Sequence, residues 1–153
     1  MSPAFFVFKP VGTTSQEILE STDNVIYAGK ETQANMCKKI DRAWIVDAVE
    51  GWQECTLDKC NKRFTPDVDA GYVVATNKLG HTVYRNVDKE ATLAVSGNAE
   101  KIVYGYAGGV GESQDPSGID AEASIKAGAR IIYKDTNNST VDFHERAKSA
   151  LRN

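Results

Sequence analysis

Apolar residues fall along this chain in short runs broken by turn formers, and each run predicts an element. Phe5 to Phe8 is aromatic and β-branched and stops at Pro10 and Gly12, the pattern of a strand ending in a turn. Ser15 then caps a short helix, "QEILES", and Asn24 to Ala28 reads as a strand closing at Gly29. From Glu31 to Gly51 the positions Cys37, Ile40, Trp44, Ile45, Ala48, Val49 and Trp52 recur at helical spacing and predict one long packing helix. Gln53 to Gly71 shows no sustained period and reads as a long irregular connection.

The runs "GYVVATNKLGHTVYRNV" and "ATLAVSGNAEKIVYGY" carry turn residues at Asn77 to Gly80 and at Ser96 to Asn98, which predicts an antiparallel meander of about four strands. "GIDAEASIKAGA" predicts a helix stopping near Gly128, and "ARIIYKD" a further strand. The tail "TVDFHERAKSALRN" places Phe143, Ala147, Ala150 and Leu151 on one face and predicts a C-terminal helix. Read together, residues 1–153 form a single α+β domain with a mostly antiparallel meander sheet, one long packing helix and a C-terminal helix, without internal repeats.

Composition narrows the class. A chain of 153 residues with 41% hydrophobic content is long enough for one core. Its 18 Lys+Arg against 21 Asp+Glu leave a net charge of −3 with the basic residues scattered, so nucleic acid is not expected as the main partner. No window resembles a signal h-region or a membrane span, and three cysteines fit a reducing compartment. The expected setting is cytoplasmic or within an assembled soluble particle, with no membrane partner.

The segment most like a site is "KIVYGYAGGVGESQDPSGIDAE". It lacks the lysine of a phosphate loop, and Gln114 stands where the dinucleotide fingerprint requires glycine. The glycines therefore read as turning a corner, and Tyr104, Tyr106, Gly108, Gly109 and Gly111 as a partner-binding surface of rigid aromatics beside adaptable backbone. Cys55, Cys60 and His81 lack a complete zinc spacing, Cys37 reads as a core thiol, and His144 as a polar residue of the terminal helix. Asp67 and Asp69 in "DVDAG" place glycine one position early for a calcium loop, while Asp115, Asp120 and Glu122 follow no recognised ligand pattern. No metal or other cofactor is expected.

"FFVFKPVGTTSQEIL" resembles the K-P-x-G-x-T-S strand and turn near the start of the transfer-RNA pseudouridine synthases. That resemblance would make Asp58 in "ECTLDKC" the nearest counterpart of the family's catalytic aspartate. It is confined to Phe5–Leu19, in a chain short for that catalytic fold and without a basic RNA-binding face, and Lys9, Pro10 and Gly12 are read as a strand-ending turn. The expected class is a non-catalytic binding or assembly subunit that binds a protein partner or itself, as small structural components of virions do. Two alternatives stay open: a small enzyme using Cys60 or Cys55 with His81, and a small-ligand-binding module using the sheet face and the Gly108 to Gly118 loop.

Overall fold

Frequent turn residues cut the chain into short elements, and none of the described helices exceeds six residues. The computed structural model describes residues 4–28, 35–52, 62–74, 82–105 and 115–146. The content is mixed helix and strand in several small sheets. By contacts the chain divides into two units, residues 6–47 and residues 1–5 with 48–153.

Strand β1 (Ala4–Phe8) opens the chain, and the Lys9 amide donates to the Trp44 carbonyl at 2.8 Å. In the smaller unit, helix α1 (Ser15–Glu20) starts one residue earlier than its serine implies. Thr14 is the cap: its hydroxyl accepts from the Glu17 amide at 3.2 Å, and the Glu17 carboxylate accepts from the Thr14 amide at 2.7 Å. That amide, then the Thr13 and Thr14 hydroxyls, hold the Glu17 carboxyl below its usual 4.5. Strands β2 (Val25–Ala28) and β3 (Asn35–Lys38) pair antiparallel, with Ile26 opposite Cys37 and Tyr27 opposite Met36.

The long helix expected over Glu31 to Gly51 is not formed. Its residues fall in β3, in a single 3-10 turn at Arg42–Trp44, and in strand β4 (Ile45–Trp52). The apolar positions satisfy two periods at once, and the period of two wins over the strand: Ala48, Glu50 and Trp52 are buried while Asp47, Val49 and Gly51 are less so. The β-branched Ile45, Val46 and Val49 favour the strand, and the Asp41 side chain, which accepts from the Ala43 amide at 2.9 Å, caps the start of a turn only three residues long. Cys37 accordingly lies in a strand, half-buried, and the fully buried tryptophan is Trp52, Trp44 being only half-buried.

The larger unit continues from β4, which pairs in parallel with β5 (Val73–Val74), Gly51 opposite Val73, in a sheet ordered β1-β4-β5. Strand β6 (Thr82–Arg85) pairs antiparallel with β7 (Phe143–Arg146). Three short helices complete it: α2 (Lys89–Ala94), α3 (Ala121–Lys126) and α4 (Ser139–Asp142), capped by Asp88, Asp120 and Asn138. The expected meander is thereby corrected, because "ATLA" is helical under its aspartate cap. "ARIIYKD" makes an isolated bridge at Tyr133 instead of a strand. The C-terminal helix is corrected over Phe143–Arg146, which is β7, and the rest of that expectation lies outside the described residues.

The two longer helices are built alike. "NVDKEAT" and "GIDAEAS" each run from a buried apolar residue (Val87, Ile119) through the aspartate cap to a buried hydroxyl four residues on (Thr92, Ser124). "IVYG" and "IIYK" follow them, ending at Gly105 and Lys134. The helix of each copy docks on the extended segment of the other. Val87 bridges Tyr133 and Ile119 bridges Tyr104. The Asp88 amide donates to the Ile132 carbonyl at 2.8 Å, and the Asp120 amide to that of Val103 at 2.9 Å. The Lys134 amide donates to the Asn86 carbonyl at 2.8 Å, and the Gly105 amide to the Gly118 carbonyl at 2.9 Å.

A hydroxyl closes each crossing. Thr92 Oγ1 accepts from the Ile132 amide at 3.0 Å and donates to its carbonyl at 3.1 Å. Ser124 Oγ accepts from the Val103 amide at 2.9 Å and donates to its carbonyl at 3.4 Å. The expectation of a chain without internal repeats is corrected by this exchanged pair. Removing a hydroxyl strands the Ile132 or Val103 amide, while the carbonyl keeps its bond from the Asp88 or Asp120 amide, so Thr92→Val and Ser124→Ala should each cost about 1–3 kcal/mol in urea unfolding. Thr92→Ser, which keeps the oxygen, should cost clearly less.

Candidate functional site

Of the predicted surface, Tyr104 is described and Tyr106, Gly108, Gly109 and Gly111 lie outside the described residues, as do Cys55, Asp58, Cys60 and His81. Tyr104 is exposed, its backbone bridged to Ile119, with the Lys89 ammonium 5.5 Å from the ring centroid. Gly105 and Gly118 share a hydrogen bond, and both have positive φ (78° and 73°), so this end of the glycine-rich segment does turn a corner. Gly12 also has positive φ, as the strand-ending turn requires.

The acids of the larger unit are structural acceptors. Glu50 is fully buried on β4; its carboxylate accepts from the Trp52 indole at 3.1 Å, from the Arg63 amide at 2.9 and 3.0 Å and from the Phe64 amide at 3.3 Å. Asp69 accepts from the amides of Glu50, Gly71 and Ser139 and from the Ser139 hydroxyl, at 2.8–3.2 Å. Asp142 binds the Thr136 amide and hydroxyl, both at 2.8 Å, and Asp115 takes the Val87 and Ser117 amides at 2.8 Å. Glu50, Asp69 and Asp115 tie backbone from distant parts of the chain and Asp142 closes a local turn, so these buried acceptors are satisfied. Among the described residues no group of acids, histidines or cysteines is arranged to hold a metal ion.

His144 is a correction: it is buried on β7, not a polar residue on a helix. The Asn86 amide nitrogen donates to the Val141 carbonyl at 2.7 Å, which turns its oxygen toward His144 Nδ1, also at 2.7 Å. In this arrangement Nδ1 carries the proton. Beside the histidine, Tyr72, Thr140 and Phe143 line a cavity of about 300 Å³. Tyr72 stacks on Trp52, ring centroids 3.9 Å apart, and exchanges two hydrogen bonds with the Thr140 hydroxyl at 2.8 and 3.0 Å.

The smaller unit differs. Among its described residues only Ile18 is a buried hydrophobic, whereas Val7, Tyr27, Met36 and Val46 are among those exposed, Tyr27 by 75% and Met36 by 66%. Tyr27 and Met36 are directly opposite across β2 and β3 and therefore share a face. Phe6 is 6.0 Å from Phe8, ring to ring, and is itself exposed. Val7 and Tyr27 lie in strands that the sequence predicts, whereas Met36 and Val46 fall in the segment read as a helix, so the face that Tyr27 and Met36 share was not legible.

A family model for proteins of unknown function, DUF4876, matches residues 1–103. The chain belongs to the DUF4876 family. The matched part includes the smaller unit and the first of the two exchanged segments up to Val103. No curated protein and no solved structure matches the chain. No described helix of this DUF4876 chain is long and apolar enough to cross a membrane.

Two outcomes follow, one from buried Glu50 and one from partly covered Tyr133. Glu50→Gln puts an amide donor among N–H groups that need acceptors, and should lower stability by about 1–3 kcal/mol. Burial first, then the Glu122 and Asp115 carboxylates, push the Tyr133 phenol above its usual 10.0. A raised folded-state value means that the stability from neutral Tyr133 is complete below the unfolded value and is lost as pH rises through the folded one. Absorbance titration should show a late phenolate component that Tyr133→Phe removes.

Proposed function

We propose that the chain is a non-catalytic binding or assembly subunit, whose smaller unit presents its apolar strands to a protein partner or to another copy. The observation that carries this reading is the imbalance in that unit, with Ile18 buried against the exposed Val7, Tyr27, Met36 and Val46. Exposed apolar patches mark interaction sites, and Tyr27 and Met36 lie side by side on one face. An aromatic and a methionine opposite each other suit a contact that must adapt to its partner. The larger unit supports the same reading from the other side, since its buried acids are engaged in holding backbone.

Sedimentation velocity over a concentration series, with crosslinking of material purified from the native source, tests the proposal. Tyr27→Ser with Met36→Ser should weaken self-association or partner capture by at least about tenfold while unfolding remains cooperative. Unchanged association in that variant, or substrate turnover by the purified chain, would overturn the reading.

A further inference from the structure

The exchanged segments provide an internal control: what both crossings share is needed for the fold, and what only one has is open to another use. Both crossings have the buried Val or Ile, the aspartate cap, the alanine and the hydroxyl. They differ around a cavity of about 200 Å³ beside the first crossing, lined by Asn86, Val87, Lys89, Pro116, Ser117 and Lys134. At the positions matching Asn86, Lys89 and Lys134, the second crossing has Gly118, Ala121 and Gly105. The crossing geometry thus requires nothing larger than a methyl group at any of the three.

Asn86 has its own explanation in the bonds to Val141 and His144. The lysines do not. Lys134 serves the fold through its backbone amide, and Lys89 rests over the Tyr104 ring; neither ammonium has a carboxylate partner among the described residues. Ser117 Oγ accepts from the Ile119 amide at 3.1 Å, which leaves its hydroxyl hydrogen to donate. The buried Asp115 lies behind this wall, both its oxygens taken by the Val87 and Ser117 amides, and the two lysines outnumber it.

Two lysines and a serine line one cavity, a set of donors that suits an oxyanion. We propose that this cavity binds the phosphate group of a small phosphorylated molecule, with Lys89, Lys134 and Ser117 as its donors. Lysine recognises phosphate as a point charge, whereas a planar carboxylate is better matched by an arginine fork. The volume is below the roughly 300–1,000 Å³ of pockets that enclose a whole small molecule, so the cavity takes a headgroup and the remainder extends outward.

Titration of the isotope-labelled full chain with inorganic phosphate at constant ionic strength tests this. The amides of Asn86, Lys89, Ser117 and Lys134 should shift together and saturate. Lys89→Gln and Lys134→Gln should each weaken binding about tenfold, with Lys126→Gln, outside the cavity, unchanged. Absence of a saturable shift at those amides in the unmodified chain would overturn the proposal whatever the variants do. So would equal binding by folded Lys89→Gln and Lys134→Gln proteins, or binding of acetate as tightly as phosphate.

Discussion

Two hydroxyl groups hold the larger unit's centre in place. Thr92 and Ser124 each take both backbone groups of one residue in the opposite segment, replacing with a side chain the ladder that a longer strand would supply. The helices that carry them are a single turn or so long and have no stability alone. Their aspartate caps fix where they start, and the hydroxyls fix what they rest on. Val87 and Ile119, buried beside the clamps, add apolar area to a contact whose geometry is set by hydrogen bonds.

The same device recurs wherever this unit needs a connection. Glu50 gathers the 63–64 backbone onto β4, Asp69 joins β4 to the start of α4, and Asp142 closes the turn before it. A core made this way is specified more by direction than by volume. Unmatched acceptors would be costly, so alternative arrangements of the same chain are penalised strongly. The smaller unit has no comparable network of buried acids among its described residues, and its apolar side chains are correspondingly exposed.

Local signals in the sequence translated well into structure where one rule acted alone. The aromatic run of β1, the strand at Val25–Ala28 and the helix ending before Gly128 all follow from propensity and turn chemistry. The error over Glu31 to Gly51 arose because seven apolar positions fit a helical stripe while Glu50 did not, and a buried acid at period two is the residue that distinguishes the readings. The repeat was legible in principle as D-x-E-A-[TS] at Asp88 and Asp120. It escaped because the spacing from Val87 to Tyr104 is 17 residues but from Ile119 to Tyr133 only 14, and because each half pairs with the other. The cavity lysines carry no motif, and only superposing the two halves singles them out.

The exchange also sets an order of events during synthesis. Ile132, the partner of Thr92, is 40 residues further along the chain, and Ser139, which binds Asp69, is 70 residues beyond it. At translation speeds of about 5–20 residues per second, the first helix waits seconds for the segment it clamps. During that interval Val87 has no Tyr133 beside it and Asp69 no serine. The nascent chain is therefore most exposed to aggregation and proteolysis after its first exchanged segment has emerged and before its second, a vulnerability that belongs to the path of assembly and leaves no trace in the finished fold.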